Sequence, residues 1–367
     1  MQALSKIFGL LIDMKKIAFF CYNIDESGGL ERVLSLIANA LANQSEIKVT
    51  IISIFKNDNK FFNLDEKIKI CYISNNKSYY SIIRQTRKIL KNEKIDKLIV
   101  VDTLMSFISL PASIGLNIKS FAWEHYSFYS TIVNRKRKIS RLIVKIFFEK
   151  VVLLTERDKD NWAKRSITKN KFLVIENPSP FSLQIDDNKS NCKVALAIGR
   201  LRKEKGFDLL IEAWALAKSK LPEEATLLII GEGEEKGNLK KIIAQLNMKN
   251  SITITGFTRD VSKYYRNARI YCLSSRTEAL PMVLIESLSF SVPLLAFDCY
   301  TGPREIIKNG YNGFIIEENN IQSYADKIIE LFSLESDDFS SLSYNAYISS
   351  SRYSIDIIIR KWLDILR

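Results

Sequence analysis

Two glutamates eight residues apart, Glu278 and Glu286, flank the segment Ala279-Leu280-Pro281-Met282-Val283-Leu284-Ile285. Proline suits the first turn of a helix, where its missing N–H costs nothing. Glu278 therefore belongs to the loop before a helix, and Glu286 lies about a turn and a half inside it. Two separated carboxylates beside a helix N-terminus could contact a sugar hydroxyl and a ribose while backbone amides meet a phosphate. A capping acid followed by a surface acid would have the same spacing, so position alone leaves both readings open.

A second constellation is Ile198-Gly199-Arg200-Leu201 followed by Lys203-Glu204-Lys205-Gly206. An apolar strand ending at Gly199 places Arg200 and Lys205 at the carboxyl edge of a parallel sheet, where open α/β sheets bind ligands. One guanidinium and one ammonium beside a glycine suit a diphosphate; a solvated basic loop is the alternative. Near the start, Gly28-Gly29 follows a strand and opens a helix, which lets backbone approach an anion. A tight strand-to-helix turn needs the same residues, and the stretch lacks G-x-G-x-x-G, which disfavours a dinucleotide fold. The single histidine, His125 in Trp123-Glu124-His125-Tyr126, follows an apolar strand and so falls at a sheet edge. Asp158-Lys159-Asp160 spells D-x-D, but it opens a helix and reads as acids stabilised by the dipole rather than as metal ligands.

The elements that must position these groups alternate. Strands are expected at Lys16–Cys21, Val49–Phe55, Ile68–Ile73, Leu98–Asp102, Ile118–Trp123, Val151–Thr155 and Phe172–Ile175. A second series runs Val194–Ile198, Thr226–Ile230, Ile252–Thr255, Ile270–Ser274, Pro293–Phe297 and Gly313–Ile316. Between them lie helical periodicities such as Leu30–Ala42, Phe207–Lys218 and Met282–Phe290. Near-continuous apolar strands alternating with helices predict parallel sheets covered on both faces. Two series predict an α/β protein of two Rossmann-like domains, residues 14–180 and 190–350. The join falls in Asn177–Asn191, where Pro178, Pro180, Asp186, Asp187 and Asn188 break any periodicity. Residues 351–367 carry a last helix, Ile355–Leu366, expected to pack across that join. Residues 1–13 read as a dispensable extension.

Composition narrows the class. At 367 residues, with 47% hydrophobic and 26% charged, the chain matches folded soluble proteins, and no apolar run approaches the ~20 residues that span a bilayer. Five scattered cysteines, never in C-x-x-C, read as reduced packing residues of a cytosolic protein. With one histidine and no paired thiols, zinc is not expected. The net charge of +13 is one-sided: residues 1–180 hold 30 Lys and Arg against 17 Asp and Glu, and residues 181–367 hold 24 of each. The first half thus faces something polyanionic.

Taken in order, Gly28-Gly29-x-Glu31-Arg32, Gly199-Arg200…Lys205-Gly206, Gly231-x-Gly233, Glu278-x7-Glu286 and Thr301-Gly302-Pro303-x-Glu305-Ile306-Ile307 resemble glycosyltransferase family 4. The resemblance runs from about Lys15 to the C-terminus and is stronger after Val194. It implies the GT-B fold, two Rossmann-like domains facing each other across a cleft, and transfer with retention of configuration. It implies that Arg200 and Lys205 hold the donor diphosphate, with Gly28 and Gly29 beside them. Glu286 would bond the nucleotide ribose, Glu278 the transferred sugar, and His125 would lie beside that sugar. By the same resemblance the donor is a UDP-sugar carrying a hexose or N-acetylhexosamine, for surface-polysaccharide assembly. No metal or other cofactor is expected, since cations and amides can stabilise the departing diphosphate. The chain departs from the family at Ala279, usually glycine, which narrows the room beside the donor sugar. It also departs at Ser287 and Ser291, usually alanine and glycine.

Between Arg135 and Lys150, Ile139, Leu142, Ile143, Ile146 and Phe147 form a helical stripe flanked by Arg135, Lys136, Arg137, Lys138, Arg141 and Lys145. Such a helix can lie on an anionic membrane surface, or cover a sheet with its basic side solvated. Together with the charge partition, this points to a peripheral protein on the inner face of the cell membrane, its acceptor a lipid-linked saccharide. A nucleic-acid partner, raised by the pI of 9.3, is disfavoured because half the chain is neutral and no recognition motif occurs. A nucleotide-sugar epimerase, a phosphorylase, or a hydrolase using Glu278 and Glu286 are the remaining alternatives.

Overall fold

The computed structural model describes residues 14–58, 60–73, 78–129, 135–166, 168–185 and 189–366. The expected N-terminal extension, and Asp186, Asp187 and Asn188 of the expected join, lie outside these residues.

The first sheet comprises β1 (Lys15–Cys21), β2 (Ile47–Ser53), β3 (Lys69–Tyr72), β4 (Lys97–Val101), β5 (Lys119–Trp123), β6 (Lys150–Leu153) and β7 (Phe172–Val174). Its crossovers are α1 (Gly29–Ala42), α2 (Tyr79–Asn92), α3 (Ser106–Ser113), α4 (Arg135–Phe147) and α5 (Glu156–Ala163). The second sheet comprises β8 (Val194–Ile198), β9 (Thr226–Ile230), β10 (Ile252–Thr255), β11 (Ala268–Leu273), β12 (Leu294–Phe297) and β13 (Gly313–Ile316). Around it lie α6 (Phe207–Lys218), α7 (Lys236–Gln245), α8 (Ser262–Arg266), α9 (Met282–Ser289), α10 (Pro303–Ile306) and α11 (Ile321–Ser333), followed by α12 (Ser336–Ser350) and α13 (Ile355–Leu366). Each expected strand forms within two residues of its expected bounds.

All strand pairs are parallel. The orders are β3-β2-β1-β4-β5-β6-β7 and β10-β9-β8-β11-β12-β13. Each order reverses direction once, beside β1 in the first sheet and beside β8 in the second. Ligands of such sheets sit outside the carboxyl ends of the strands at this switch point. The loops that carry Gly28, Gly199 and Glu278 leave β1, β8 and β11, on or next to the two switch points.

One apolar core runs through the join: Val33, Leu34 and Ile37 of α1 belong to the same buried cluster as Leu284 and Ile285 of α9 and Trp362 of α13. The last helix follows the second sheet in sequence but docks on the first. Trp362 packs edge-on to Trp123 of β5 at 4.9 Å, and Lys361 Nζ donates to Glu176 Oε2 at 2.5 Å. Ser291, where the family usually has glycine, has φ 59°, a left-handed conformation that glycine adopts without strain. Its hydroxyl donates to the Gln184 carbonyl at 2.7 Å, a compensation glycine lacks.

One expectation is corrected. Arg137 and Arg141 do not lie on a solvated basic face; both are about 5% exposed. Lys145 is also turned inward, donating to the Arg165 carbonyl at 3.2 Å with its ammonium 5.2 Å from the Trp162 ring centroid. The apolar stripe points outward instead: Ile139, Leu142, Ile146 and Phe147 are more than half exposed, and Arg135, Lys136 and Lys138 are exposed beside them. The reason is electrostatic. The half-buried Asp102 and the buried Glu124, at the ends of β4 and β5, lie beneath the helix, and carboxylates withdrawn from water need cations more than the sheet needs another leucine.

Candidate active site

Two adjoining cavities of about 660 and 740 Å³ open between the sheets and share Gly29, Gly199, Arg200, Met282 and Val283. The first also takes in His125, Lys205 and Glu278. The second takes in Gly28, Arg32, Gly231, Gly233 and Glu286. The structure thus gathers His125, Glu278, Gly28, Gly29, Arg200, Lys205 and Glu286 around one cleft. It leaves the α4 residues Arg135, Lys136, Arg137, Lys138, Arg141 and Lys145 out of the lining.

The loop after β8 is built by close backbone approach. Gly206 has φ 64°, and a Cβ there would fall 2.0 Å from the Ser274 carbonyl oxygen. Only glycine lets the Lys203–Lys205 turn lie against the end of β11. That contact delivers Lys205 to Glu278: Nζ lies 2.7 Å from Oε1. The same oxygen accepts from Ser275 Oγ at 2.7 Å, and the Thr301 hydroxyl bonds the Glu278 carbonyl. Glu278 stands in the loop before α9, with Pro281 as the helix N-cap. Arg200 is exposed and faces both cavities. Of the two cations expected at this sheet edge, Arg200 is thus open to the cleft, whereas Lys205 is already paired.

Glu286 is 4% exposed, held from both sides of the cleft. Arg32 of α1 reaches across with Nη1 2.9 Å from Oε1, and Tyr265 Oη donates to Oε2 at 3.0 Å. Burial and the neighbouring carboxylate push the Tyr265 phenol well up, so it stays a neutral donor. Neither partner was singled out from sequence. Arg32 stood in the glycine-rich motif one turn into α1, a signal without a role until α9 is brought opposite. Phe61 and Phe257 were also missed: they meet across the cleft at 5.6 Å between centroids in the second cavity.

His125 is half-buried beside Trp123, ring centroids 4.4 Å apart, and its buried Nε2 has no hydrogen-bond partner. Burial without a charged partner pushes its pKa down to about 3, so the imidazole is neutral at pH 7. Because the folded value lies below the ordinary 6.5, protons bind the unfolded chain preferentially between the two. Stability contributed by His125 is whole above about pH 6.5 and is lost as pH falls toward 3. In urea titrations the stability of wild type relative to His125→Gln should therefore fall as pH drops from 7 to about 4; a constant difference between them would refute the depressed value.

Asp158 Oδ1 accepts from the Phe128 amide at 3.1 Å, and its own amide bonds the N-cap Thr155 Oγ1 at 3.1 Å. Asp158 is thus engaged in capping and loop contacts, while Asp160 is exposed. Among the described residues no three His, Cys, Asp or Glu side chains group to hold a metal.

Residues 180–348 match the family described as Glycosyl transferases group 1. The chain is 38% identical to an uncharacterized glycosyltransferase of Haemophilus influenzae, covering 96% of this chain and 100% of that one. It is 30% identical to the amylovoran biosynthesis glycosyltransferase AmsD of Erwinia amylovora, with the same coverage. It is 29% identical to a Campylobacter jejuni α-1,4-N-acetyl-D-galactosaminyltransferase whose name specifies an undecaprenol-diphosphate-linked saccharide, over 96% and 98% of the two chains. In fold it is similar to Anabaena HepE in complex with UDP, TM-score 0.82 at 18% identity, over 96% and 99% of the two chains. The likeness to a Staphylococcus aureus TarM mutant bound to UDP reaches 0.81 at 17% identity, over 96% and 100%. With its two parallel sheets, its cleft and these relatives, the chain belongs to the group 1 glycosyl transferases and is a glycosyltransferase of GT-B fold.

Proposed function

We propose that this enzyme moves a hexose or N-acetylhexosamine from a UDP-sugar to a lipid-linked saccharide in bacterial polysaccharide synthesis, with retention of configuration. The observation that carries the reading is the convergence of Arg200, Lys205, Glu278 and His125 on one cavity, continuous with a second that holds Glu286. The bond from the anomeric carbon to the diphosphate breaks, its electrons pass to the phosphate oxygen, and Arg200 and Lys205 stabilise that charge. The acceptor hydroxyl forms the new bond and gives its proton to the departing diphosphate. A neutral His125 can hydrogen-bond a sugar hydroxyl without opposing positive charge that develops on the ring. Lys205 is poised to pass from Glu278 to phosphate, which frees Glu278 for the sugar. No metal is required for these steps. A HepE structure contains UDP, and the Campylobacter relative is named for a lipid-linked saccharide; both support this choice of substrates.

The test is nucleotide release across a panel of UDP- and GDP-sugars, with and without a lipid-linked saccharide. UDP release that requires the acceptor supports transfer. Release without acceptor, or with GDP-sugars alone, removes the reading.

Peripheral attachment to the inner membrane face belongs to the same proposal. Among the described residues no helix is long and apolar enough to cross a membrane. The outward α4 stripe, with Arg135, Lys136 and Lys138 beside it, suits shallow insertion into an anionic surface. Anionic liposomes should sediment the wild type, and raising salt to about 1 M, where the Debye length is ~3 Å, should release it only partly. Ile146→Ser/Phe147→Ser should abolish the salt-resistant fraction. Complete release of the wild type by salt would leave the apolar face without a membrane role.

A further inference from the structure

We infer that α4 is the positioning element of the His125 loop, and that Arg141 and Arg137 act on transfer through that loop without touching substrate. The inference rests on the proposed place of His125 beside the donor sugar.

Residues 124–128 leave β5 without entering a helix or another strand, so their backbone groups need partners from elsewhere. The Glu124 amide still bonds the Val152 carbonyl at 3.0 Å. Beyond it the partners are charged side chains. The Tyr126 amide donates to Glu124 Oε1 at 3.1 Å, and the Phe128 amide to Asp158 Oδ1 at 3.1 Å. The three carbonyls that follow His125 converge on one guanidinium: Arg141 donates to Tyr126 at 3.4 Å, Ser127 at 3.1 Å and Phe128 at 2.6 Å. A planar fork with five donors can do this, and an ammonium on a flexible stem cannot.

The fork is itself fixed from below. Arg141 Nε lies 3.4 Å from Glu124 Oε2, and Thr103 Oγ1 donates to the same oxygen at 2.7 Å. Arg137 grips both oxygens of Asp102, at 2.6 and 3.0 Å, and donates to Glu124 Oε1 at 3.2 Å. Its guanidinium carbon lies 4.2 Å from the Tyr126 ring centroid. Asp102, the residue after β4, has φ 72°, a conformation that persists only where the surroundings over-determine it. Two arginines and two carboxylates thus form a layer behind the loop. His125, Tyr126 and Ser127 line the cavity, and Asp102, Glu124, Arg137 and Arg141 do not. The His125 ring, with no bond at Nε2, takes its aim from this backbone clamp and from Trp123.

The chain has one histidine, so its imidazole nitrogen signals report the loop directly. In wild type they should stay those of a neutral ring between about pH 5 and 8. Arg141→Lys keeps a cation opposite Glu124 but loses the fork. In that variant the signals should shift and titrate toward the ordinary value, with kcat down about a hundredfold and UDP affinity unchanged within threefold. If Arg141→Lys does not fold, Asp102→Asn, which weakens the grip on Arg137, should show the same signature in weaker form. An unchanged histidine spectrum in a folded variant overturns the inference, whether kcat is preserved or falls together with UDP affinity and Tm. So does a shifted spectrum with undiminished kcat. Should wild type transfer no sugar at all, the proposed function fails, and the histidine spectrum still decides whether α4 positions the loop.

Discussion

Lys205→Ala is expected to produce the largest loss of turnover. The substitution removes an ammonium assigned to the diphosphate and leaves Glu278, its side chain 10% exposed, facing the same space as an uncompensated negative charge. Loss of a charge-assisted hydrogen bond costs roughly 1.5–3 kcal/mol, or about ten- to a hundredfold in donor affinity. Repulsion between the freed carboxylate and the diphosphate adds to it, so kcat/KM should fall beyond a hundredfold. Arg200→Ala, which leaves the Lys205–Glu278 pair in place, should show the affinity loss alone. The double variant Lys205→Ala/Glu278→Gln separates the two contributions: it should bind UDP better than Lys205→Ala. Isothermal titration with UDP and steady-state kinetics measure both. Equal UDP affinity for wild type and the two single variants would displace the diphosphate site from this loop.

The second large effect is expected at Arg32 and Glu286, because one contact serves both fold and nucleotide. Glu286→Ala should weaken UDP binding by removing the acceptor assigned to the ribose, whereas Glu278→Ala should lower turnover more than UDP affinity. Arg32→Met leaves Glu286 buried with Tyr265 as its remaining side-chain partner, and breaking a buried pair from one side costs about 3–5 kcal/mol. Its Tm should drop by several degrees. Arg32→Met/Glu286→Gln removes both charges and should recover most of that stability while leaving UDP affinity low. Chemical denaturation of wild type, Arg32→Met, Glu286→Gln and the double variant closes the cycle. A coupling near zero would mean that the pair contributes nothing between the domains, and normal UDP affinity in Glu286→Ala would remove the ribose assignment.

Much of the molecule was legible without coordinates, for a definable reason. Parallel strands buried on both faces must be apolar throughout, and the turns between them need glycine, proline and polar residues. That local requirement is written residue by residue, which is why Val194–Ile198, Thr226–Ile230 and Ile252–Thr255 form as read. Strand ends then set the sheet edge, so Gly199-Arg200 and His125 could be placed there from order, and the family resemblance added the cleft and Glu278's place in it. What periodicity could not supply was the partner of each charge. Glu286 meets Arg32 across 254 residues, and Lys205 meets Glu278 across 73. Helix α4 shows the limit most sharply. Its stripe of Ile139, Leu142, Ile146 and Phe147 reads as the buried face, since burying apolar side chains is the usual gain. Asp102 and Glu124, brought beneath it by β4 and β5, reverse that choice: an unpaired buried carboxylate costs more than several exposed methylene groups, so Arg137 and Arg141 turn inward. The sequence by itself determined the elements and the edge on which the chemistry sits. Only the tertiary structure decided which charges meet there, because a Coulomb contact depends on distance in space, and hydrophobic period is blind to it.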